Sequence, residues 1–338
     1  MRIKYFIIAL CYGLFAACSQ SPNFPREETI TQELMPLQGV TFPGVLEVKH
    51  PFLIVQNRKR TDSLFHIYNL NTYELAYVFG VTGQGPGEFL VGSSVIPTQL
   101  SELLIVDFND GFKTYFWRIA EDGKPLLSTV KQPKYAEGLS AVISDSLYVM
   151  NDMFSFETYG LVNLSTFQSE EPIKSWRFSS AEFPSWAWFD LNYGQLYANE
   201  SRIVFLYEYK KQIDFLDTDL NLINRVKFNY SHPAIITPND TKEQSELKRS
   251  YTAGYLGKHY FYALFKGASW NEWHNNLSFR GSILEVFDLD GNPVIKYHLN
   301  GISPYTFVVD EETFTLYGRR DDNEPEDHLL VYRLKGLQ

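Results

Sequence analysis

From residue 29 onward the chain alternates short apolar stretches with polar turns, and Tyr, Phe, Val, Ile and Leu dominate the stretches. Such runs are typical of β-strands that bury one or both faces. The stretches fall into groups of four, separated by turns rich in Asp, Asn and Gly. The first group comprises residues 45–49, 52–56, 64–70 and 74–79. Each group therefore predicts one four-stranded antiparallel sheet.

The group recurs along the chain. Its further copies cover residues 95–97, 103–108, 115–120 and 126–130; 139–143, 147–151, 158–164 and 173–178; 194–198, 203–207, 212–216 and 222–228; and 251–256, 260–265, 282–289 and 294–299. The third strands centre on Ile67, Trp117, Val162, Phe215, Val286 and Val331. Their spacing of 45 to 71 residues suits propeller blades, which become stable when neighbours stack and bury both faces.

A sixth copy, at residues 305–309, 314–317 and 329–334, lacks a fourth strand. Residues 29–34 have the length and alternation to supply it, and pairing the two chain ends would close the ring and protect its edges. We therefore predict an all-β, six-bladed β-propeller of four-stranded antiparallel blades, with the last blade closed by an N-terminal strand. A seventh copy would have to lie between Phe215 and Val286, where two loop insertions explain the long spacing better.

The N-terminus predicts export. Two basic residues precede an apolar run over residues 5–17, and Cys18 follows two alanines. We interpret residues 1–17 as a lipoprotein signal peptide, Cys18 as the lipid attachment site, residues 18–28 as a lipidated tether and residues 29–338 as one propeller domain. The expected location is the cell envelope, anchored by lipid to the inner or outer membrane and facing the periplasm or the surface. An ordinary secretory signal or an uncleaved anchor are the alternatives.

Charge and cysteine content narrow the class of partner. The chain has 30 Lys and Arg against 40 Asp and Glu, and loss of Arg2 and Lys4 with the signal peptide leaves 28 against 40, a net charge of −12. Such acidity argues against nucleic acid, and against membrane contact other than through the lipid. The only cysteines are Cys11 and Cys18, so the mature domain has no disulfide.

A glycine-rich stretch directly follows the first group. It contains Gly80, Gly83, Gly85, Pro86, Gly87, Glu88 and Phe89. Because it lacks the Lys-Ser/Thr pair of a P-loop, we interpret it as a structural loop between blades rather than a phosphate site. With Gly254-Tyr255 and the run Tyr260-Phe261-Tyr262-Ala263-Leu264, it resembles the six-bladed TolB-like propeller lipoproteins of Bacteroidetes. The resemblance implies this fold, an envelope location and a binding role, and it carries no catalytic motif.

Blade topology predicts which face binds a ligand. Loops between second and third strands, and those between blades, emerge on one face, and the long segments all belong to this set. The candidate ligand-binding residues on this face are Trp186, Trp188, Trp270, Trp273, His274, Arg280 and Arg58. The alternative is that the tryptophans pack the loops onto the blades and that basic residues, Arg319 and Arg320 included, form salt bridges. In one such segment, Pro238 and Asp240 predict a short helix that runs to Ser250.

No catalytic residue or metal ligand can be assigned. The seven histidines have no zinc-binding spacing and no nucleophile elbow occurs. We expect no cofactor, although a Ca²⁺ ion in the channel stays open. The leading hypothesis is a non-enzymatic binding module for a peptide, protein or glycan. One alternative is a metal-dependent lactonase or lyase with its site at the channel mouth, and another is a structural scaffold of an envelope complex.

Overall fold

The structure, a computed structural model, describes residues 22–58, 62–85, 88–90, 92–135, 139–151, 160–178, 192–230, 246–275, 281–320 and 327–337. These residues form six sheets arranged as the blades of a propeller. Two N-terminal strands, β1 (Glu27–Thr31) and β2 (Glu33–Pro36), precede the first complete blade. The predicted all-β, six-bladed fold is confirmed.

Blades 1 to 3 each have four antiparallel strands in sequence order. Blade 1 contains β3 (Pro43–Lys49), β4 (Phe52–Asn57), β5 (Phe65–Asn69) and β6 (Leu75–Phe79). Blade 2 contains β7 (Ser94–Ile96), β8 (Leu103–Asp107), β9 (Lys113–Ile119) and β10 (Pro125–Lys131). Blade 3 contains β11 (Ala141–Val142), β12 (Leu147–Asn151), β13 (Leu161–Thr166) and β14 (Lys174–Arg177). The first strand of blade 3 is thus shorter than the five residues predicted.

Blades 4 to 6 repeat this order. Blade 4 contains β15 (Gly194–Ala198), β16 (Ile203–Tyr207), β17 (Gln212–Leu216) and β18 (Leu222–Lys227). Blade 5 contains β19 (Lys248–Leu256), β20 (Tyr260–Ser269), β21 (Ser282–Asp288) and β22 (Pro293–Asn300), with helix α1 (Trp270–Asn275) after β20. Blade 6 contains β23 (Pro304–Asp310), β24 (Thr315–Arg320) and β25 (His328–Arg333). All six predicted centres of third strands lie in β5, β9, β13, β17, β21 and β25.

One predicted element is wrong in part. The helix expected to run to Ser250 is contradicted at its end, because β19 already begins at Lys248 and pairs with β20. The apolar alternation of β19 outweighs the helix-start residues upstream of it, which lie outside the described residues.

The N-terminal segment closes the ring, as predicted, but in two pieces. Strand β2 is the fourth strand of blade 6 and pairs antiparallel with β25, Met35 opposite Leu329. Strand β1 instead joins blade 5 as a fifth strand, parallel to β22, with Ile30 opposite Leu299. Residues 29–34, predicted as one strand, are therefore divided between two blades.

The core is a ring of interfaces between blades. One apolar cluster fills each of the interfaces between blades 1 and 2, 2 and 3, 3 and 4, and 4 and 5. The largest cluster spans blades 5, 6 and 1, and includes Ile30 and Met35 from the N-terminal strands. The closing seam is therefore part of the largest apolar interface rather than a surface contact.

The turns between third and fourth strands share one design in blades 4 and 5. Asp217 and Asp288 each accept hydrogen bonds from the backbone amides two and four residues later. Asn221 and Asn292 close the loops by donating their side-chain amides to these carboxylates at 2.8 Å. The aspartates thus stabilise the turns, and the two blades share the same hydrogen bonds at this position.

Ring closure predicts a clear contrast between two neighbouring residues of β2. Met35 is fully buried, whereas Leu34 is 51% exposed. We expect Met35→Ala to lower the free energy of unfolding by about 2–5 kcal/mol, because it opens a cavity in the closing seam. Leu34→Ala, the matched control, should change it by no more than about 0.5 kcal/mol. Urea titration measures both, and equal effects would contradict the role of β2 in closure.

Candidate functional site

The innermost strands of all six blades surround a central channel of about 330 Å³. Hydrogen bonds between blades 4 and 5 brace its wall. The side-chain amide of Gln195 donates to the carbonyl oxygen of Thr252 at 3.1 Å, and the hydroxyl of Tyr197 donates to the Gln195 side-chain oxygen. The backbone amide of Gly254 in turn donates to the Tyr197 hydroxyl at 2.7 Å. Burial raises the pKa of Tyr197, so this hydroxyl stays neutral.

A pocket of about 220 Å³ opens beside the channel on the face that carries the long loops. We call it the long-loop mouth and define it by Glu208, Arg249, Lys266, Trp270, Trp273 and Tyr305. These residues lie at or beyond those ends of the strands of blades 4, 5 and 6 that point to this face. The pocket shares Gln195, Thr252 and Tyr305 with the channel, so it is the mouth of the channel on this side.

Helix α1 positions the two tryptophans through a capping box. The Ser269 hydroxyl oxygen accepts a hydrogen bond from the Glu272 amide at 3.1 Å, and the Glu272 carboxylate accepts one from the Ser269 amide at 2.9 Å. The bond from the Ser269 amide lowers the pKa of Glu272. Trp273 turns inward and is 9% exposed, whereas Trp270 is 45% exposed. The Lys266 ammonium lies 3.8 Å from the centroid of the Trp273 ring, a cation–π contact.

Charged groups form the rest of the long-loop mouth. The Arg249 side chain pairs with the nearly buried Glu208 carboxylate at 2.8 Å. Burial raises the pKa of Glu208, and the charge of Arg249 opposes that effect. On the other side the Arg319 guanidinium lies 4.9 Å from the centroid of the Tyr305 ring. Among the described residues, the basic side chains of Arg249, Lys266 and Arg319 and the carboxylates of Glu208 and Glu272 therefore lie in or beside the pocket.

The structure places some of the predicted ligand-binding residues and not others. Trp270 and Trp273 lie together in the long-loop mouth, on the predicted face. Arg58 lies on the same face, at the end of the second strand of blade 1, and its backbone amide donates to the Phe42 carbonyl at 3.1 Å. Trp186, Trp188, Arg280 and the side chain of His274 lie outside the described residues, as does Cys18.

Sequence reasoning missed Glu208, Arg249 and Tyr305. Glu208 directly follows β16, and Arg249 and Tyr305 are the second residues of β19 and β23. Charged and aromatic residues are common at such strand ends, so the sequence does not distinguish them. The available signal was the combination of strand order and blade topology, because together they bring the ends of β16, β19 and β23 to the same mouth of the channel. The capping box Ser269–Glu272 is a further local signal in the sequence, one that predicts the start of α1.

The glycine-rich loop connects β6 to β7, between blades 1 and 2. Phe89 is buried against Phe65 and Tyr115, with ring centroids 5.4 Å apart in both pairs. The Glu88 carboxylate folds back into the loop and accepts a hydrogen bond from the Gly85 amide at 2.7 Å. A carboxylate of the chain itself thus lies on the amide that a bound phosphate would need. Pro86 and Gly87 lie outside the described residues.

The largest described cavity, of about 840 Å³, lies on the opposite face, among the turns between first and second strands of blades 1, 2, 5 and 6. Loop length did not predict this cavity, because short turns rather than long loops surround it. Two of its carboxylates, those of Glu311 and Asp310, are engaged within the protein. The Glu311 carboxylate accepts hydrogen bonds from the backbone amides of Lys258, His259 and Tyr260. The Asp310 carboxylate lies 3.0 Å from the His50 ring.

Where this cavity borders blade 1, its wall contains a buried ion pair. The Lys49 ammonium lies 2.5 Å from the Glu47 carboxylate and donates to the carbonyl oxygens of Thr98 and Leu100. Burial raises the pKa of Glu47. The ammonium therefore has three acceptors within the protein, and it joins blade 1 to blade 2.

Across the described residues, no group of three or more His, Cys, Asp or Glu side chains is arranged to hold a metal ion. In the same part of the chain, no helix has the length and apolar character needed to cross a membrane.

These features define a six-bladed propeller with an axial channel and a mixed aromatic and charged pocket at one mouth. The sequence matches the model of TolB-like six-bladed propellers over residues 23–312, and the chain belongs to that family. This confirms the resemblance seen in the sequence.

Two solved structures from Bacteroides share the fold. A provisionally named exported protein of Bacteroides fragilis NCTC 9343 is 12% identical, with 91% of this chain and 98% of that chain covered and a TM-score of 0.54. A member of the DUF4221 family from Bacteroides vulgatus ATCC 8482 is 13% identical, with 93% and 98% covered and a TM-score of 0.57. At such identities the likeness shows the fold alone. No curated protein matches the sequence.

The glycine loop yields a test of its structural role. Gly80 has a φ of +84°, and a Cβ there would lie 2.8 Å from the Phe65 ring. We expect Gly80→Ala to lower the free energy of unfolding by about 1–3 kcal/mol, from backbone strain and overpacking. Gly281→Ala is the control, because that glycine is not in the left-handed region and its Cβ would have one close neighbour, at 3.3 Å. Urea titration would contradict this role if Gly80→Ala were as mild as the control.

Proposed function

We propose that this protein is a non-enzymatic binding module of the cell envelope and that the long-loop mouth is its ligand site. The observation that carries the proposal is the pair of exposed aromatic rings at the channel mouth, Trp270 at 45% and Tyr305 at 46% exposure. Large aromatic side chains are usually buried, and exposed ones beside a pocket are characteristic of binding sites.

The surroundings of these rings support a ligand with both flat and polar parts. Arg249, Glu208 and Lys266 provide hydrogen-bonding groups within the same pocket. Trp270 is the first residue of a helix whose start is fixed by a capping box, so its backbone is held in place before a ligand arrives. A peptide, a protein loop or a glycan are the partners that this chemistry suits.

The envelope location rests on the N-terminal sequence. Residues 1–17 have the features of a signal peptide, and Cys18 follows them as in bacterial lipoproteins. The export given in the name of the Bacteroides fragilis relative agrees with this location. Phe24 packs against Phe228 and Phe287 between blades 4 and 5. The part of the tether from Cys18 to Phe24 can span at most about 20 Å. The propeller would thus stay close to the membrane.

The two other hypotheses receive less support. A metal-dependent lactonase or lyase needs several oxygen or nitrogen ligands that converge, and the described residues contain no such group. A purely structural scaffold would have no need of a pocket with exposed aromatic rings at the axis.

Lipid anchoring is tested by Cys18→Ser. We expect the wild-type protein in the membrane fraction, and the variant in the soluble fraction, because a serine cannot take the lipid. Cell fractionation followed by immunoblotting measures the distribution, with Cys11→Ser as the control that should leave the protein on the membrane. A Cys18→Ser variant that stays in the membrane fraction at the wild-type level would rule out this anchor.

The ligand site is tested by Trp270→Ala in a binding screen of the full chain against glycan, peptide and envelope-protein panels. We expect any ligand that binds the wild type to bind this variant at least about tenfold more weakly, since stacking area is lost. Lys258→Gln, on the opposite face, is the control and should bind as the wild type does. Binding that survives Trp270→Ala but is lost in Lys258→Gln would move the site to the other cavity.

A further inference from the structure

We infer that the central channel binds a neutral aromatic group, which enters it from the long-loop mouth. This inference rests on the proposed function, because the channel continues inward from that same mouth and would hold the most deeply buried part of the ligand. Four observations carry it: an obstructed far end, a lining without charge, wall groups that already have partners, and one buried hydroxyl that has none.

A side chain crosses the channel at the end away from the long-loop mouth. Gln99 follows β7, and its side chain reaches across the axis from blade 2 to blade 5, the opposite blade of the ring. Its amide donates hydrogen bonds to the Tyr255 hydroxyl at 2.9 Å and to the Leu256 carbonyl oxygen at 3.0 Å. Tyr255 lines both the channel and the larger cavity, so this bridge lies between the two. The channel is thus obstructed at this end, and a ligand enters it from the long-loop mouth.

The lining of the channel carries no formal charge. Among the described residues, those that line it include no Asp, Glu, Lys, Arg or His, although the pockets at both ends contain such residues. Burial raises the pKa of Tyr197 and that of Tyr255, so both hydroxyls stay neutral. A charged ligand would lose its hydration in the channel without gaining an ion pair, which is unfavourable. The channel therefore favours a neutral group.

Several polar groups of the channel wall already have partners. The carbonyl oxygens of Thr252 and Leu256 and the backbone amide of Gly254 are each hydrogen-bonded to a side chain of another blade. A sugar carries several hydroxyl groups, and each of them needs a partner when it leaves water. A ligand with few polar groups therefore fits this wall better than a sugar does.

One buried polar side-chain atom of the channel wall has no hydrogen-bond partner. It is the hydroxyl oxygen of Thr252, alone in this respect among the described residues that line the channel. Buried hydroxyls in native proteins are nearly always hydrogen-bonded, so an unpaired one needs an explanation. Thr252 also lines the long-loop mouth, and thus lies where the mouth passes into the channel. A ligand with a single hydroxyl or N–H group would satisfy it, and water alone becomes an outcome of the test.

Size and lining favour an aromatic ring as the bound group. The channel has a volume of about 330 Å³. An apolar cavity of about 150 Å³ already holds benzene, so a substituted ring has room here. Tyr197, Tyr255, Tyr305 and Phe307 belong to the lining, and aromatic rings pack favourably on one another in offset or edge-to-face arrangements. The ring can belong to a small free molecule or to the side chain of a peptide, since both present the same chemistry.

The test titrates the full chain with four probes and follows binding by NMR. The probe p-cresol is a neutral ring with one hydroxyl, toluene lacks the hydroxyl, p-toluate has a carboxylate in its place, and acetyl-Gly-Tyr-Gly-amide carries the same phenol on a peptide. We expect p-cresol to bind at least about tenfold tighter than p-toluate, because the carboxylate loses its hydration without an ion pair. Tighter binding of the peptide than of p-cresol assigns the ring to a peptide ligand, and weaker binding assigns it to a free molecule.

Substitutions at Thr252 test the hydrogen bond. Thr252→Val replaces the hydroxyl by a methyl group of similar size. It should weaken p-cresol binding about threefold to tenfold and leave toluene binding unchanged, since toluene makes no hydrogen bond. Thr252→Ser keeps the hydroxyl and should bind p-cresol within about twofold of the wild type. Thr129→Val, the same change at an exposed position of β10, is the control and should bind every probe as the wild type does. Urea titration checks that each variant is folded.

Three results would overturn the inference. The first is that no probe binds, as expected if the channel holds water alone. The second is equal binding of p-cresol and p-toluate, and the third is p-cresol binding that Thr252→Val leaves unchanged. These results leave the proposed function standing, because Trp270→Ala tests it with ligands from the panel screen. A panel ligand whose binding ignores both Trp270→Ala and Thr252→Val would overturn both proposals.

Discussion

The packing of apolar faces between neighbouring blades is the constraint on which the rest of this structure depends. A single four-stranded sheet is too small to bury both of its faces, so each blade needs a partner on each side. The clusters of buried residues follow this logic, because each joins strands of adjacent blades rather than lying within one. The seam between the last and first blades carries the largest cluster, and two N-terminal strands reinforce it. Closure thus adds a long-range contact where the ring would otherwise open.

Buried charge follows the same constraint. Glu285 of blade 5 accepts a hydrogen bond from the Lys211 ammonium of blade 4 at 2.7 Å, and another from the Tyr251 hydroxyl of its own blade at 2.6 Å. Within blade 4, Arg225 makes two hydrogen bonds to Asp214, which also accepts one from Tyr207. Removing one partner of such a pair leaves a buried charge without compensation, so these groups fix how the strands and blades meet. Their burial therefore has a structural explanation that does not involve a ligand.

The strands were predictable from sequence because alternation with period two, broken by Asp, Asn and Gly turns, depends on local chemistry that every blade repeats. The division of residues 29–34 between two blades was not predictable. Ile30 and Met35 both have apolar neighbours, and only the closed ring shows that their strands, β1 and β2, belong to different sheets. The end of the supposed helix at Ser250 failed because pairing with β20 outweighs local helix signals. The candidate site was harder still, as Glu208, Arg249 and Tyr305 are remote in sequence and meet only through the ring.

The two faces differ in how their polar groups are satisfied. Around the larger cavity Glu311 accepts three backbone amides and Lys49 has three acceptors, so much of its polarity serves to hold turns and blades together. Glu88 does the same for the glycine-rich loop. At the long-loop mouth, by contrast, Trp270 and Tyr305 stay 45% and 46% exposed beside a pocket. An internal role explains the first arrangement fully. Exposed aromatic residues beside a pocket are typical of binding sites, and for this reason we propose the smaller pocket as the ligand site.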